Sequence, residues 1–159
     1  KGIVPIAHFF AEADFPFVIA GDGPQKEEVL EIIKGKANCS YLGLVSNDQI
    51  HHFFDQIDVL VIPSFEESGP LVGLEAMAAG KLIVSTQVGA MQERLNGLKS
   101  FWFSIENVSS LQTCIDAING LTENEYQQIS LQLQERYKNE YSSAAIASKY
   151  KAVVQKTIS

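Results

Sequence analysis

Short apolar runs alternate along this chain with stretches whose apolar residues recur at helical spacing. The runs are "FPFVIAG" (Phe15 to Gly21), "NCSYLG", "DVLVIPS" and "KLIVST". Runs this apolar suit parallel strands covered on both faces. Between them, "QKEEVLEIIK" carries Val29, Leu30, Ile32 and Ile33 as a stripe, and Gly23-Pro24 marks its start. "SNDQ" has the capping-box spacing, Ser46 with Gln49, ahead of a face made by Ile50, Phe53, Phe54 and Ile57. Pro70 suits the first position of a third helix and Gly80 its stop. On that helix Leu71, Val72, Leu74, Met77 and Ala78 are the positions predicted to pack on the sheet. A helix also begins almost at once after Lys1. The core therefore reads β-α-β-α-β-α-β, which implies right-handed crossovers and a Rossmann-like doubly wound parallel sheet.

Beyond Gln87, "FWFSIENVSSLQTCIDAIN" reads as one more short strand and a helix starting near Ser109 or Ser110. From Thr122 the chain is mostly helical, and "SSAAIASKYKAVVQK" has helical spacing at Ala144, Ile146, Ala147, Tyr150 and Val153. No repeat, low-complexity run or linker interrupts it, so residues 1–159 read as one domain. The missing initial methionine points to a fragment of something longer.

Composition narrows the function. The chain has 159 residues, 46% of them hydrophobic, which can bury an ordinary core. A net charge of −7 with scattered Lys and Arg argues against nucleic acid as a partner. No apolar stretch reaches the roughly 18 residues of a transmembrane segment. Cys39 and Cys114 share no motif and read as reduced thiols, which fits a cytoplasmic protein. His51 and His52 are adjacent and His8 is distant, so no metal site is expected.

In open α/β sheets ligands bind beyond the carboxyl ends of the strands. Those ends carry "GDGP", "LGLVS", "PSFEESGP" and "STQVGAMQE". "GDGP" lacks the third glycine of a dinucleotide fingerprint and reads either as a tight turn or as a close backbone approach to phosphate or sugar. At "ESGP" the helix start leaves N–H groups of Leu71 and Val72 for an anion, and Gly69 removes a side chain beside them. Glu67 repels an anion unless it faces a neutral, hydroxyl-bearing part of the ligand. Glu75 lies about one and a half turns into the same helix. It reads either as a carboxylate that escapes to solvent or pairs with a cation, or as one reserved for ribose hydroxyls. Phosphate at the helix start, ribose at Glu75 and a hydroxyl-rich group at Glu67 together describe a nucleotide sugar.

Glu67-x7-Glu75 with "EAMAAGK", preceded by "DVLVIPS" and followed by "VSTQVGAMQE", resembles the donor-binding half of family 4 retaining glycosyltransferases, which have the GT-B fold. "KG", "VIAGDGP" and "YLGLVS" occur in that family's order, and "YSSAAIASKY" resembles its closing helix. The resemblance implies one half of a GT-B fold with C-terminal helices. It implies Glu67 on hydroxyls of the transferred sugar, Glu75 on the ribose, and backbone N–H groups at Gly69, Pro70, Leu71 and Val72 around sugar and diphosphate. Proline itself has no N–H to give, so Pro70 enters as part of that backbone. Leu44 and Val45 would meet the base, Gly21 would line the cleft, and Lys1 would be the phosphate lysine. A donor nucleotide-diphosphate sugar is implied as substrate, with no cofactor and no metal. The acceptor, a glycan or lipid-linked molecule of polysaccharide biosynthesis, would belong to an N-terminal domain that these residues do not include. Rival readings are another GT-B enzyme, such as a nucleotide-sugar epimerase or a phosphorylase-like enzyme, and a non-catalytic α/β binding module.

Overall fold

The computed structural model of the chain describes residues 1–158. Helix α1 (Ile3–Ala11) comes first, then β1 (Phe17–Ala20), α2 (Lys26–Ile33), β2 (Cys39–Gly43), α3 (Ile50–Asp55), β3 (Val59–Ile62) and α4 (Leu71–Ala79). There follow β4 (Leu82–Ser85), α5 (Met91–Arg94), β5 (Phe101–Trp102), α6 (Ser109–Asn119) and α7 (Glu123–Arg136). A π-helical turn, Tyr137–Tyr141, leads into α8 (Ser143–Ile158). The alternation of strand and helix is the α/β pattern predicted from the apolar runs, with the helices of the C-terminal third in place.

Every strand pair is parallel. Phe17 stands opposite Cys39 in the β1–β2 pair, Val59 opposite Leu82 in β3–β4, and Val84 opposite Phe101 in β4–β5. The sheet is not continuous, however: β1 and β2 form one piece, and β3, β4 and β5 form another. All four residues of β4 are buried, as expected for a strand paired on both edges and covered on both faces. Helix α1 spans the two pieces. Its Ile6 and Phe10 belong to the main core with Leu60, Ile62, Met77, Val84 and Leu111, while Ala7 joins Ile19, Val29 and Ile33 in a smaller cluster. Phe10 also stacks on Phe17 with ring centroids 4.1 Å apart. The Asn38 amide fixes the α1–β1 connection by donating to the carbonyls of Phe10 and Ala13, each at 2.8 Å.

Several boundaries differ from the sequence reading. Ser46 does not cap α3. Its hydroxyl donates to the Gln49 side chain at 3.1 Å, a turn intervenes, and the helix starts at Ile50 with no side-chain cap. The capping box forms instead at α7: the Thr122 side chain accepts from the Glu125 N–H, and Glu125 accepts from the Thr122 N–H at 2.8 Å. Pro70 is the N-cap of α4 rather than its first residue, with extended backbone (ψ 121°), and α2 begins two residues beyond Pro24. The buried face of α4 is Gly73, Ala76 and Met77, whereas Leu71 is 71% exposed. The helix rides close to α5, so small residues face inward: a Cβ on Gly73 would sit 2.8 Å from the Met91 sulfur. Along α8, Ile146, Tyr150 and Val153 are exposed, so that stripe is not part of the core.

Candidate active site: the cleft beyond the strand ends

The loop from Pro63 to Pro70 leaves the carboxyl end of β3 and is held by its neighbours. Thr86, buried at the end of β4, donates through its hydroxyl to the Ser64 carbonyl at 2.6 Å and through its N–H to the Ile62 carbonyl at 3.1 Å. The Ala90 N–H donates to the Ser68 carbonyl at 3.1 Å. Arg94 donates from Nη1 to the Pro70 carbonyl at 2.7 Å. Gly89, at φ 50°, lies against the backbone of Glu67 and Ser68, where a Cβ would collide with both carbonyls. A side chain there is excluded by both conformation and space.

These contacts present Glu67. Its carboxylate accepts from the Ser64 hydroxyl at 3.4 Å and forms an ion pair with Lys1. The Lys1 side chain is 72% exposed and that of Glu67 only 19% exposed. Glu67, given by the resemblance to the sugar hydroxyls, and Lys1, given to the phosphate, therefore meet in the cleft. Immediately beyond, α4 begins. Its first-turn N–H groups at Leu71 and Val72 have no intrahelical acceptor, and no other bond engages them among the described residues.

On the other side, the Gly21 carbonyl accepts from the Tyr41 hydroxyl at 2.7 Å, and the Gly21 N–H donates to the Gly43 carbonyl at 2.7 Å. The Asp22 carboxylate accepts from the Gly23 N–H at 2.8 Å. Nothing lies within 4 Å of where a Cβ on Gly21 or Gly23 would stand, so the turn is open to an approaching group. Leu44 is 76% exposed and Val45 packs partly against the core. A cavity of about 1290 Å³ joins the two sides, and Lys1, Gly21, Leu44, Val45, Glu67, Pro70 and Val72 all line it.

Three predicted residues lie outside that lining. Gly69 does not open space for a ligand in this conformation: a Cβ there would be 2.9 Å from the Arg94 guanidinium, so its smallness serves the Arg94–Pro70 bond. Leu71 points its bulk away from the core, as its exposure shows. Glu75 is half-buried on α4, three positions after the cavity-lining Val72 and hence on the same side of the helix. The Glu75 carboxylate has no hydrogen bond or ion pair among the described residues. Glu93 is exposed and does not line the cavity.

Thr86, Gly89, Arg94 and Tyr41 are the residues that the sequence reading missed. Only Arg94 carried a signal, as the single cation between Lys81 and Lys99. No group of three or more His, Cys, Asp and Glu side chains could hold a metal among the described residues. None of the described helices is long and apolar enough to cross a membrane.

Comparison with known proteins gives the chain a family. Residues 4–124 match the family described as glycosyl transferases group 1. The lipopolysaccharide 1,2-N-acetylglucosaminetransferase of Salmonella typhimurium is 27% identical over 167 residues, covering 94% of this chain and 44% of that protein. The 2-deoxystreptamine glucosyltransferase of Streptomyces kanamyceticus is 33% identical over 85 residues, which are 51% of this chain and 22% of that one. Among solved structures, sucrose-phosphate synthase from Thermosynechococcus elongatus superposes with a TM-score of 0.83 at 18% identity, over 99% of this chain and 42% of that one. Anabaena HepE, solved in complex with UDP and glucose, superposes with a TM-score of 0.77 at 17% identity, over 98% and 44%. The chain thus spans less than half the length of these relatives, with the Rossmann-like fold of GT-B enzymes, and it belongs to the group 1 glycosyltransferases.

Proposed function

We propose that residues 1–159 form a single nucleotide-sugar-binding unit of a retaining hexosyltransferase. The whole enzyme would move a sugar from a nucleotide-diphosphate donor to a glycan or lipid-linked acceptor in the cytoplasm, with no cofactor beyond the donor itself. The acceptor would be held by a further domain, which fits relatives more than twice as long as this chain.

The observation that carries this reading is the Lys1–Glu67 ion pair in a cleft beside the start of α4. When a nucleoside diphosphate leaves a sugar, negative charge develops on it. A cation and a helix start with unengaged N–H groups stabilise such charge with little reorganisation. A carboxylate beside a diphosphate is unfavourable unless it is neutralised or turned to hydroxyls, and here Lys1 neutralises it. On donor entry, Lys1 would turn to the diphosphate and Glu67 to the sugar hydroxyls. Val72 and Leu71 would offer N–H groups to the diphosphate, with Gly69 and Pro70 placing that backbone. Gly21, Leu44 and Val45 would face the nucleoside, and Glu75 the ribose.

Calorimetric titration of the chain with UDP, GDP and ADP, and then with sugars attached to whichever binds, tests the proposal. Saturable binding of one diphosphate, weakened about tenfold or more by Glu75→Ala, is the expected result. Diphosphate binding left untouched by Glu75→Ala, together with nucleotide-sugar binding left untouched by Glu67→Ala, would overturn the assignment.

A further inference from the structure

Arg94 ends α5 half-buried, and among the described residues no carboxylate forms an ion pair with it. Taking a guanidinium partly out of water without a carboxylate partner is costly, because its charge loses hydration and gains no counter-charge. Its Nη1 donates instead to the Pro70 carbonyl at 2.7 Å. That carbonyl already accepts the first bond of α4, from the Gly73 N–H at 3.2 Å, so its own satisfaction does not require Arg94. The approach is nevertheless built in from three sides. Gly69 has no Cβ, which would stand 2.9 Å from Nη2. Met91 and Leu95 anchor α5 in the core. The Arg136 guanidinium donates to the Arg94 carbonyl at 3.3 Å and to the Asn96 carbonyl at 3.1 Å, and is itself paired with Glu140 at 2.9 Å.

We infer that Arg94 is a positioning residue for the departing diphosphate and acts on it through the Pro70–Leu71 peptide. The inference rests on the donor site proposed above. In a planar trans peptide the carbonyl and the following N–H point in opposite directions. Arg94 holds the carbonyl end of this peptide, and the Leu71 N–H at the other end has no acceptor among the described residues. Standard bond lengths put Nη1 within about 5 Å of the Leu71 nitrogen. A cation on the oxygen draws electron density toward it and makes the N–H a stronger donor, as hydrogen-bonded groups in series polarise one another. The unpaired charge also adds to the positive end of the α4 dipole.

Arg94 does not line the cavity, whereas Lys1 does. The two cations therefore divide the work. Lys1 would meet the diphosphate directly, and Arg94 stands behind the peptide that faces it. A charge fixed in place before the ligand arrives needs no reorganisation when the diphosphate leaves.

Exchange of the unengaged Leu71 amide with water reads this effect without any ligand. Hydroxide takes the proton from the Leu71 nitrogen, the electron pair left behind spreads onto the Pro70 oxygen, and water returns a proton. A cation on that oxygen stabilises the anion. Arg94→Met keeps a long side chain without the charge, and Arg94→Lys keeps the charge. Arg94→Met is expected to slow Leu71 exchange about tenfold between about pH 7 and 9, and Arg94→Lys to stay within about threefold of the unmutated chain. A purely structural role predicts the opposite sign, because loosening exposes amides and speeds their exchange. Unchanged or faster Leu71 exchange in Arg94→Met would overturn the inference. A second arm titrates the same variants with UDP, GDP and ADP and with the three nucleosides, followed by NMR. The diphosphate that binds should weaken about tenfold in Arg94→Met and recover in Arg94→Lys, with its nucleoside unchanged. An equal loss for the nucleoside would also overturn the inference. If none of the diphosphates binds the unmutated chain, the donor reading fails, while the exchange arm still decides the role of Arg94.

Discussion

Beyond the carboxyl end of β3, the Glu67 loop is tied to β4 and α5 through Thr86, the Ala90 N–H and Arg94. Beyond the carboxyl end of β1, the Gly21–Pro24 turn is tied to β2 by the Tyr41 hydroxyl and one backbone bond to Gly43, and to α2 by the Lys26 N–H on the Gly23 carbonyl and the Lys26–Asp22 ion pair. The same topological position is thus closely packed on one side of the cleft and open on the other. Groups that must meet developing charge need preorganisation, because reorganising them during reaction costs part of the stabilisation they offer. Groups that only hold the nucleoside can be backbone atoms of an open turn.

The largest effect should come from disturbing the closely packed side at its backbone. Gly89→Val puts a β-branched side chain at φ 50° against the Glu67 and Ser68 carbonyls. It should cost about 3 kcal/mol or more, lowering Tm by roughly 10 °C, and abolish binding of the nucleotide sugar. Next comes the carboxylate itself. Glu67→Ala should weaken the nucleotide sugar about 10- to 100-fold, the loss of a charge-assisted hydrogen bond, while leaving the bare nucleoside diphosphate almost unaffected. A calorimetric pair of titrations separates the two ligands. Arg94→Ala leaves the Pro70 carbonyl with the Gly73 N–H alone and should lower stability by about 1 kcal/mol in denaturant unfolding.

The smallest effect lies at the start of α7 and serves as a contrast. The Thr122 backbone N–H, then its hydroxyl, holds the Glu125 carboxyl below its ordinary value of 4.5. A carboxyl lowered in the folded state adds stability above its unfolded value and loses it as pH falls through the folded one. The deficit of Glu125→Ala in thermal melts should therefore be present at pH 7 and shrink below about pH 4.

The strands were legible in the sequence because "FVIA", "VLVI" and "LIVS" are apolar runs too short for helices and bounded by turn residues. Helix starts were less so: "SNDQ" and "TENE" have similar spacing, yet only the second forms a box, because the first is drawn into a turn by the Gln49–Ser46 backbone bond. The resemblance gives Lys1 and Glu67 separate roles but not their pairing, since residues 66 positions apart meet by topology. Arg94, Gly89 and Thr86 act on backbone carbonyls, which no side-chain pattern announces.

Amide exchange across the whole chain, with and without the nucleotide sugar that binds best, tests the central claim most directly. A donor that bridges the cleft should slow exchange on both sides at once, at Gly21 and Gly23, at Leu44 and Val45, and at Leu71 and Val72. Protection confined to one side, or appearing with none of these amides, would contradict the placement of the donor between the two half-sheets.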